Sequence, residues 1–200
     1  MSETRIPTQK RSIEKRNRII AKGFELMCEQ GYYNTAIPDI AKCADVSVGI
    51  IYQYFSDKKD IFIEGVKEYS NSIMYPMIIL LESEKVEIKN LEILLKNIIQ
   101  QFIENHTISK KAHEELLAMS HLDDDVAKIF NNSEYEMTEK IVALLGCNNI
   151  YLQNPREKVH IIWGIVDNFC HEVVYHKHSK MNYDIMQDEV ISIIINIIKG

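Results

Sequence analysis

Apolar residues recur with a helical period from the start of the chain. Ile13, Ile19, Ile20, Phe24, Met27 and Cys28 fall on one stripe over residues 13–28, with basic residues opposite. Gly31 suits the C′ position closing this first helix. Thr35 reads as the N-cap of a short second helix, Ala36 to Cys43, in which Pro38 is tolerated in the first turn. Ala44-Asp45 makes a tight turn, Ser47 caps a third helix, and Ser56 or Asp57 caps a fourth reaching at least Met74, with Pro76 expected to kink or break it near Tyr75. Further helices are predicted at about 87–105, 109–119, 123–145, 155–177 and 184–198. Asn154-Pro155-Arg156-Glu157 is the sharpest start, with an N-cap Asn, Pro at N1 and Glu at N3 completing a capping box. No strand pair or internal repeat stands out, so the chain reads as all-α.

The two short helices joined by a few residues have helix-turn-helix spacing. With side chains advancing about 100° per residue, Ile51 and Phe55 share the inward stripe of the third helix. Gly49, Ile50, Tyr52 and Gln53 are left outside or flanking. Such a surface suits the major groove of DNA: glycine permits close approach, an aliphatic side chain meets a thymine methyl, and glutamine bonds an adenine edge. The helix starts at Thr35 and Ser47 offer backbone N–H groups to phosphate. Tyr52, Tyr54 and Lys58 add phenols and an ammonium; Lys58, at a helix start where a cation gains nothing from the dipole, points to an external anion.

Charge sharpens this picture. The formal net charge of the 200 residues is −6, yet residues 1–22 carry seven basic groups against two acidic ones, and residues 61–200 carry thirteen against twenty-one. A basic arm on an acidic body points to a polyanion at one end only. With only seven glycines and four prolines, the chain has too little turn punctuation for a β-sandwich. Cys28, Cys43, Cys147 and Cys170 form no CxxC pair and read as small hydrophobes in a reducing cytoplasm. The opening MSETRIPTQKRS has no apolar h-region, and no apolar run reaches the roughly 18 residues of a membrane span, so a cytoplasmic protein without a membrane partner is expected.

Thr35-Ala36-Ile37-Pro38-Asp39-Ile40-Ala41, Ala44-Asp45-Val46-Ser47-Val48-Gly49-Ile50-Ile51-Tyr52-Gln53-Tyr54-Phe55 and Lys58-Lys59-Asp60-Ile61-Phe62 together resemble the N-terminal signature of the TetR (tetracycline-repressor) family. The resemblance covers about residues 12–65. It implies a DNA-binding head (residues 1–56), a helical effector-binding and dimerisation body (57–200), and a homodimer built on the last two helices. The DNA-facing roles carried over fall on Thr35, Ala36, Ser47, Val48, Gly49, Ile50 and Gln53, with Tyr52, Tyr54 and Lys58 at backbone-contacting positions. Asp45 departs from the family's turn glycine, Pro38 stands where some members read a base with arginine, and Ile61-Phe62 replace a leucine region. The operator therefore cannot be borrowed.

The last two predicted helices are apolar nearly all round, which suggests burial against a partner subunit. Ile162, Val166, Phe169, Val173, Ile191, Ile194, Ile195 and Ile198 are the expected interface. For an effector, Tyr69, Met74, Tyr75, Phe102, Met119, Phe130, Tyr135 and Met137 supply aromatic and flexible lining, with His106 and His113 as polar anchors, so a largely apolar effector is expected. His171, His176 and His178 lack the i, i+4 pairing of a helical zinc site, and Asp123-Asp124-Asp125 lacks the spacing and glycine of a calcium loop, so no metal or other cofactor is expected. No GxSxG, phosphate-cradling glycine loop or HExxH occurs, so no catalytic residues are assigned. The sequence thus reads as a transcriptional regulator, a repressor released from a palindromic operator by a small effector. The rival from another class is a helical small-molecule or lipid carrier.

Overall fold

The computed structural model describes residues 9–83, 86–107 and 110–200, and within them the side chains at 73–78, 80, 81, 83 and 88 lie outside the description. Nine α-helices and one 3-10 turn make up the described residues, which contain no strand. They are α1 (Lys10–Gln30), α2 (Ile37–Cys43), α3 (Val48–Tyr54), α4 (Lys58–Ser83), the 3-10 turn Ile88–Asn90, α5 (Leu91–Thr107), α6 (Lys110–Leu122), α7 (Asp124–Cys147), α8 (Pro155–Tyr175) and α9 (Tyr183–Lys199). None of them is long and apolar enough to cross a membrane.

Several termini follow from the residues named above. Gly31 ends α1 at φ 92°, a backbone region that costs glycine nothing. At the start of α4, the Asp60 N–H donates to Asp57 Oδ1 at 3.0 Å, and the Ser56 N–H donates to Asp60 Oδ2 at 2.7 Å. Two starts and one end differ from the sequence reading. Ala36, not Thr35, precedes α2, and the Asp39 carboxylate accepts the Ala36 N–H at 3.0 Å. Asn154 sits in the left-handed region (φ 53°) and makes no side-chain cap, so the expected capping box does not form, although Pro155 does open α8. Pro76 does not end α4, which is assigned to Ser83.

The chain divides into two compact units. The first comprises residues 1–70 with 111–130, so it extends beyond the expected boundary at 56 and takes in α6 and the start of α7. Its core gathers Ile19, Ile20 and Met27 of α1, Ile40 of α2, Ile51 and Phe55 of the α3 region, Ile61 and Phe62 of α4, and Leu116, Met119 and Val126. Close approach sets the packing. A Cβ built on Gly23 would stand 2.8 Å from the Ile61 side chain, and one on Gly65 would stand 2.5 Å from the Phe24 ring. Two polar links tie the late segment into this unit: the Tyr32 N–H donates to Glu115 Oε1 at 2.6 Å, and Lys59 meets Asp123 and Asp125 at 2.8 Å each. Lys59 holds both carboxyls below the usual aspartate range through its hydrogen bonds.

The second unit comprises residues 71–110 and 131–200. Phe102, His106, Trp163, Phe169 and Cys170 are buried in it, as are Val166, Ile191 and Ile194. The last three and Phe169 were expected at a subunit interface, and they belong instead to this unit's own core. Ile162, Val173, Ile195 and Ile198 are half-buried. The outward side of α8 is Ile161 (55% exposed), Gly164 and Asn168, and that of α9 is Ile185, Ser192 and Ile193 (45% exposed). A helix apolar all round leaves its inward stripe undetermined by periodicity, and the expected face was rotated away from the one left open.

Candidate nucleic-acid interface

α3 is seven residues long, too short to hold itself together. Ile51 (0% exposed) and Phe55 (2% exposed) pin it to the core of the first unit, and the Arg16 guanidinium stands 5.2 Å from the Phe55 ring centre while pairing with Glu64 at 2.8 Å. Burial pushes the Glu64 carboxyl up, but the bonds from Arg16 and Lys67 outweigh it and leave the group below its ordinary value.

With that side fixed, Ser47, Val48, Gly49, Tyr52 and Gln53 point to solvent, and Tyr52 is half exposed. A Cβ on Gly49 would meet nothing within 4 Å, so the glycine leaves open space rather than filling a crowded one. The Ser47 hydroxyl makes no cap bond. Ile50, expected on the flank, and Tyr54, expected at a backbone-contacting position, are partly buried against the core, with the Tyr54 and Phe55 ring centres 6.4 Å apart.

The turn before α3 explains a departure noted in the sequence. Asp45 has φ 51°, the left-handed conformation in which glycine is most at ease and Asp or Asn is tolerated. Arg18 of α1 donates to the Asp45 carbonyl at 3.3 Å, bracing the turn from the basic helix.

Two expected phosphate contacts have internal partners. Thr35 is buried (2% exposed) and its hydroxyl donates to the Gly31 carbonyl at 3.0 Å. Lys58 donates to the Tyr32 and Thr35 carbonyls at 2.7 and 2.8 Å, with its ammonium 4.5 Å from the centre of the Tyr32 ring. The cation at the start of α4 is thus accounted for by the carbonyls of the α1–α2 connection, and it keeps at most one proton for an outside anion. Ala36 is exposed, but its N–H already serves Asp39. Tyr33 went unnoticed in the sequence; it is 69% exposed and lies edge-on to buried Tyr32 at 5.2 Å. The tandem Tyr32-Tyr33 was the available signal.

The expected effector residues are divided between the two units. Met119 lies in the core of the first unit, Tyr69 and Phe130 pack against that core, and His113 is buried in the same unit. The Tyr69 hydroxyl and His113 Nδ1 are 3.4 Å apart. Phe102, His106 and Met137 are buried in the second unit, and Tyr135 is 58% exposed. Met74 and Tyr75 lie outside the described side chains. In the second unit, His106 Nδ1 and the Phe102 carbonyl are 2.8 Å apart, and Asp167 Oδ1 lies 3.7 Å from the Nε2 atoms of both His106 and His171. Burial lowers the pKa of His106 and His171 and raises that of Asp167. Asp167 and His171 stand at i, i+4 on α8, a relation missed by considering only histidine pairs.

Comparison with known proteins bears on the first unit most directly. The description of bacterial regulatory proteins of the tetR family matches residues 19–64. The HTH-type transcriptional regulator HbdR of Aromatoleum sp. (strain CIB) is 52% identical over 54 residues, 27% of this chain and 24% of that protein. The HTH-type transcriptional regulator AcrR of Shigella flexneri is 39% identical over 57 residues, 28% of this chain and 26% of that one. The match thus spans only about a quarter of these relatives' own length. A solved structure from Mesorhizobium loti, described as a TetR-family transcriptional regulator, superposes with a TM-score of 0.70 over 96% of both chains at 16% identity, a likeness that shows the fold. Residues 19–64 thus match the helix-turn-helix segment of the tetR family of bacterial regulatory proteins, and the all-helical chain shares the fold of a solved TetR-family regulator.

Proposed function

We propose that the protein is a DNA-binding transcriptional repressor that works as a homodimer on a palindromic operator and lets go when a small, largely apolar effector binds its second unit. The observation that carries the DNA reading is the exposed side of α3: Val48, Gly49, Tyr52 and Gln53 face water while Ile51 and Phe55 lock the helix in place. Glutamine and small or apolar groups held on a short, pinned helix suit base edges in a major groove. Arg11, Lys15 and Lys42, exposed or half-buried, supply positive charge on the neighbouring α1 and α2. The carrier alternative gives no reason for this face to be left open.

A dimer is supported by Ile161 and Ile193 lying in the open on helices whose other sides are already filled. Gly164, three residues on from Ile161 in α8 and with open space where a Cβ would be, permits close approach of a second copy. Two recognition helices one DNA turn apart would then read a two-fold site.

Gly49→Leu tests the DNA reading. The open space around Gly49 lets the variant fold, while the new side chain would hold α3 off the groove. Selection of genomic fragments by the wild-type chain should enrich a two-fold sequence, and the variant should lose that sequence with its thermal unfolding unchanged. Equal retention by both chains would refute the reading.

A further inference from the structure

The second unit contains a cavity of about 80 Å³, open in part to solvent, which none of the expected effector residues with described side chains lines. Its walls come from Val86, the first turns of α5, the end of α7, and α8 and α9. Every described lining side chain is aliphatic except Trp163. Ile162, Val166, Ile194 and Ile198, which periodicity placed at a subunit interface, line this space instead.

We propose that this cavity is the receptor for the end of an unbranched alkyl chain, inserted tail first with its polar head left at the opening. Water finds no hydrogen-bond partners against such walls, and an apolar cavity stays dry even at about 150 Å³. The void therefore leaves its lining short of contacts, which only an apolar occupant restores. Size chooses among apolar occupants. The space is about half the ~150 Å³ that accommodates benzene, and far below the roughly 300–1,000 Å³ of drug-sized sites. The space falls short of the one that accommodates a benzene ring, whereas a slender saturated chain needs only its terminal carbons inside. The partial opening supplies the exit for a head group that these walls could not satisfy. Binding to the cavity is independent of the DNA reading; the role of the ligand as effector rests on it.

Trp163 is the chain's single tryptophan and stands in the cavity wall, so its fluorescence reports on this site alone. Full-length protein without DNA is titrated with 8-bromo-1-octanol, whose bromine quenches indole on contact, and then with 1-alkanols from butanol to decanol as competitors. The expected result is saturable quenching, with competition improving about fourfold per added methylene until the space is full. Val159→Ile adds one carbon at a lining position that is 1% exposed, and should weaken the quench while raising the unfolding temperature. Leu145→Phe should abolish the quench, and Val159→Ile keeps the test decisive if that variant does not fold. Quenching that never saturates, or that is equal in wild type and Val159→Ile, overturns the site. A final arm adds 1-octanol to the complex with the selected DNA fragment. Release confirms the effector role, and retention despite saturable quenching overturns that role. Failure of wild type to select any DNA, with quenching intact, sinks the regulator reading while upholding the site.

Discussion

Helix α3 and the pair α8 and α9 all carry more apolar side chains than one buried face requires, and they resolve the surplus differently. In α3 the buried positions Ile51 and Phe55 are four apart, and the open positions Val48, Gly49, Tyr52 and Gln53 mix small, aromatic and amide groups. One short helix against one core leaves a single way to turn. In α8 and α9 isoleucine and valine occupy nearly every direction, so several rotations would bury a similar area. There the neighbours decide: Val166, Phe169, Ile191 and Ile194 go inward, and Ile161 and Ile193 stay out. A mixed face is a statement about function; a uniform one is a statement about packing that needs the rest of the fold to complete it.

The strongest way to break this contrast is to remove the anchor of α3. Phe55→Ala should cost about 3–5 kcal/mol of unfolding free energy in a denaturant titration; a loss below about 1 kcal/mol would mean that α3 is not held by its buried ring. Next comes a pair on α9, one residue apart. Ile194→Ala should cost about 2–5 kcal/mol, whereas Ile193→Ala should move the stability of the isolated chain by less than about 0.5 kcal/mol. Sedimentation of Ile193→Glu should show a monomer where wild type shows a dimer. Comparable losses from the two alanine variants would erase the distinction between the inward and outward sides of α9.

Smaller effects sharpen the picture at the turn and the groove. Gln53→Ala should weaken DNA binding by about 1–3 kcal/mol at one or two base positions, and a uniform loss on every sequence would deny it a reading role. Asp45→Ala should cost about 1–2 kcal/mol of stability because of its left-handed backbone, while Asp45→Gly should cost nothing, as thermal melts would show. The smallest effect is in pH dependence. Asp123 and Asp125, held low by Lys59, stabilise the fold above the ordinary aspartate pKa, and this contribution disappears as pH falls through their depressed values. Lys59→Met removes the largest cause of the depression, so its melting temperature should fall less steeply than that of wild type on acidification through that range. Parallel curves would show that the pairs add nothing measurable, as exposed ion pairs often do.

The residues that were legible were those whose reasons are local. Gly31, the spacing of Ile51 and Phe55, and Pro155 act within one turn of the chain, so helix order and the open side of α3 could be read directly. Lys58 misled because its partners, the carbonyls of Tyr32 and Thr35, lie more than twenty residues away. Met119 and Phe130 could not be assigned to a unit by periodicity; the structure packs α6 and the start of α7 with the first unit. Asp167 and His171 were separable from ordinary surface groups only once His106 arrived from α5.

By itself the sequence determined an all-helical chain, a basic first helix, and a helix-turn-helix whose second helix keeps Gly49 and Gln53 outside, because periodicity and capping operate over a few residues. Only the tertiary structure decided which isoleucines of α8 and α9 are core, where an empty apolar space lies beside Trp163, and which cations are already engaged. Burial and pairing depend on groups distant in the chain, and a repeating pattern carries no information about which neighbour will arrive.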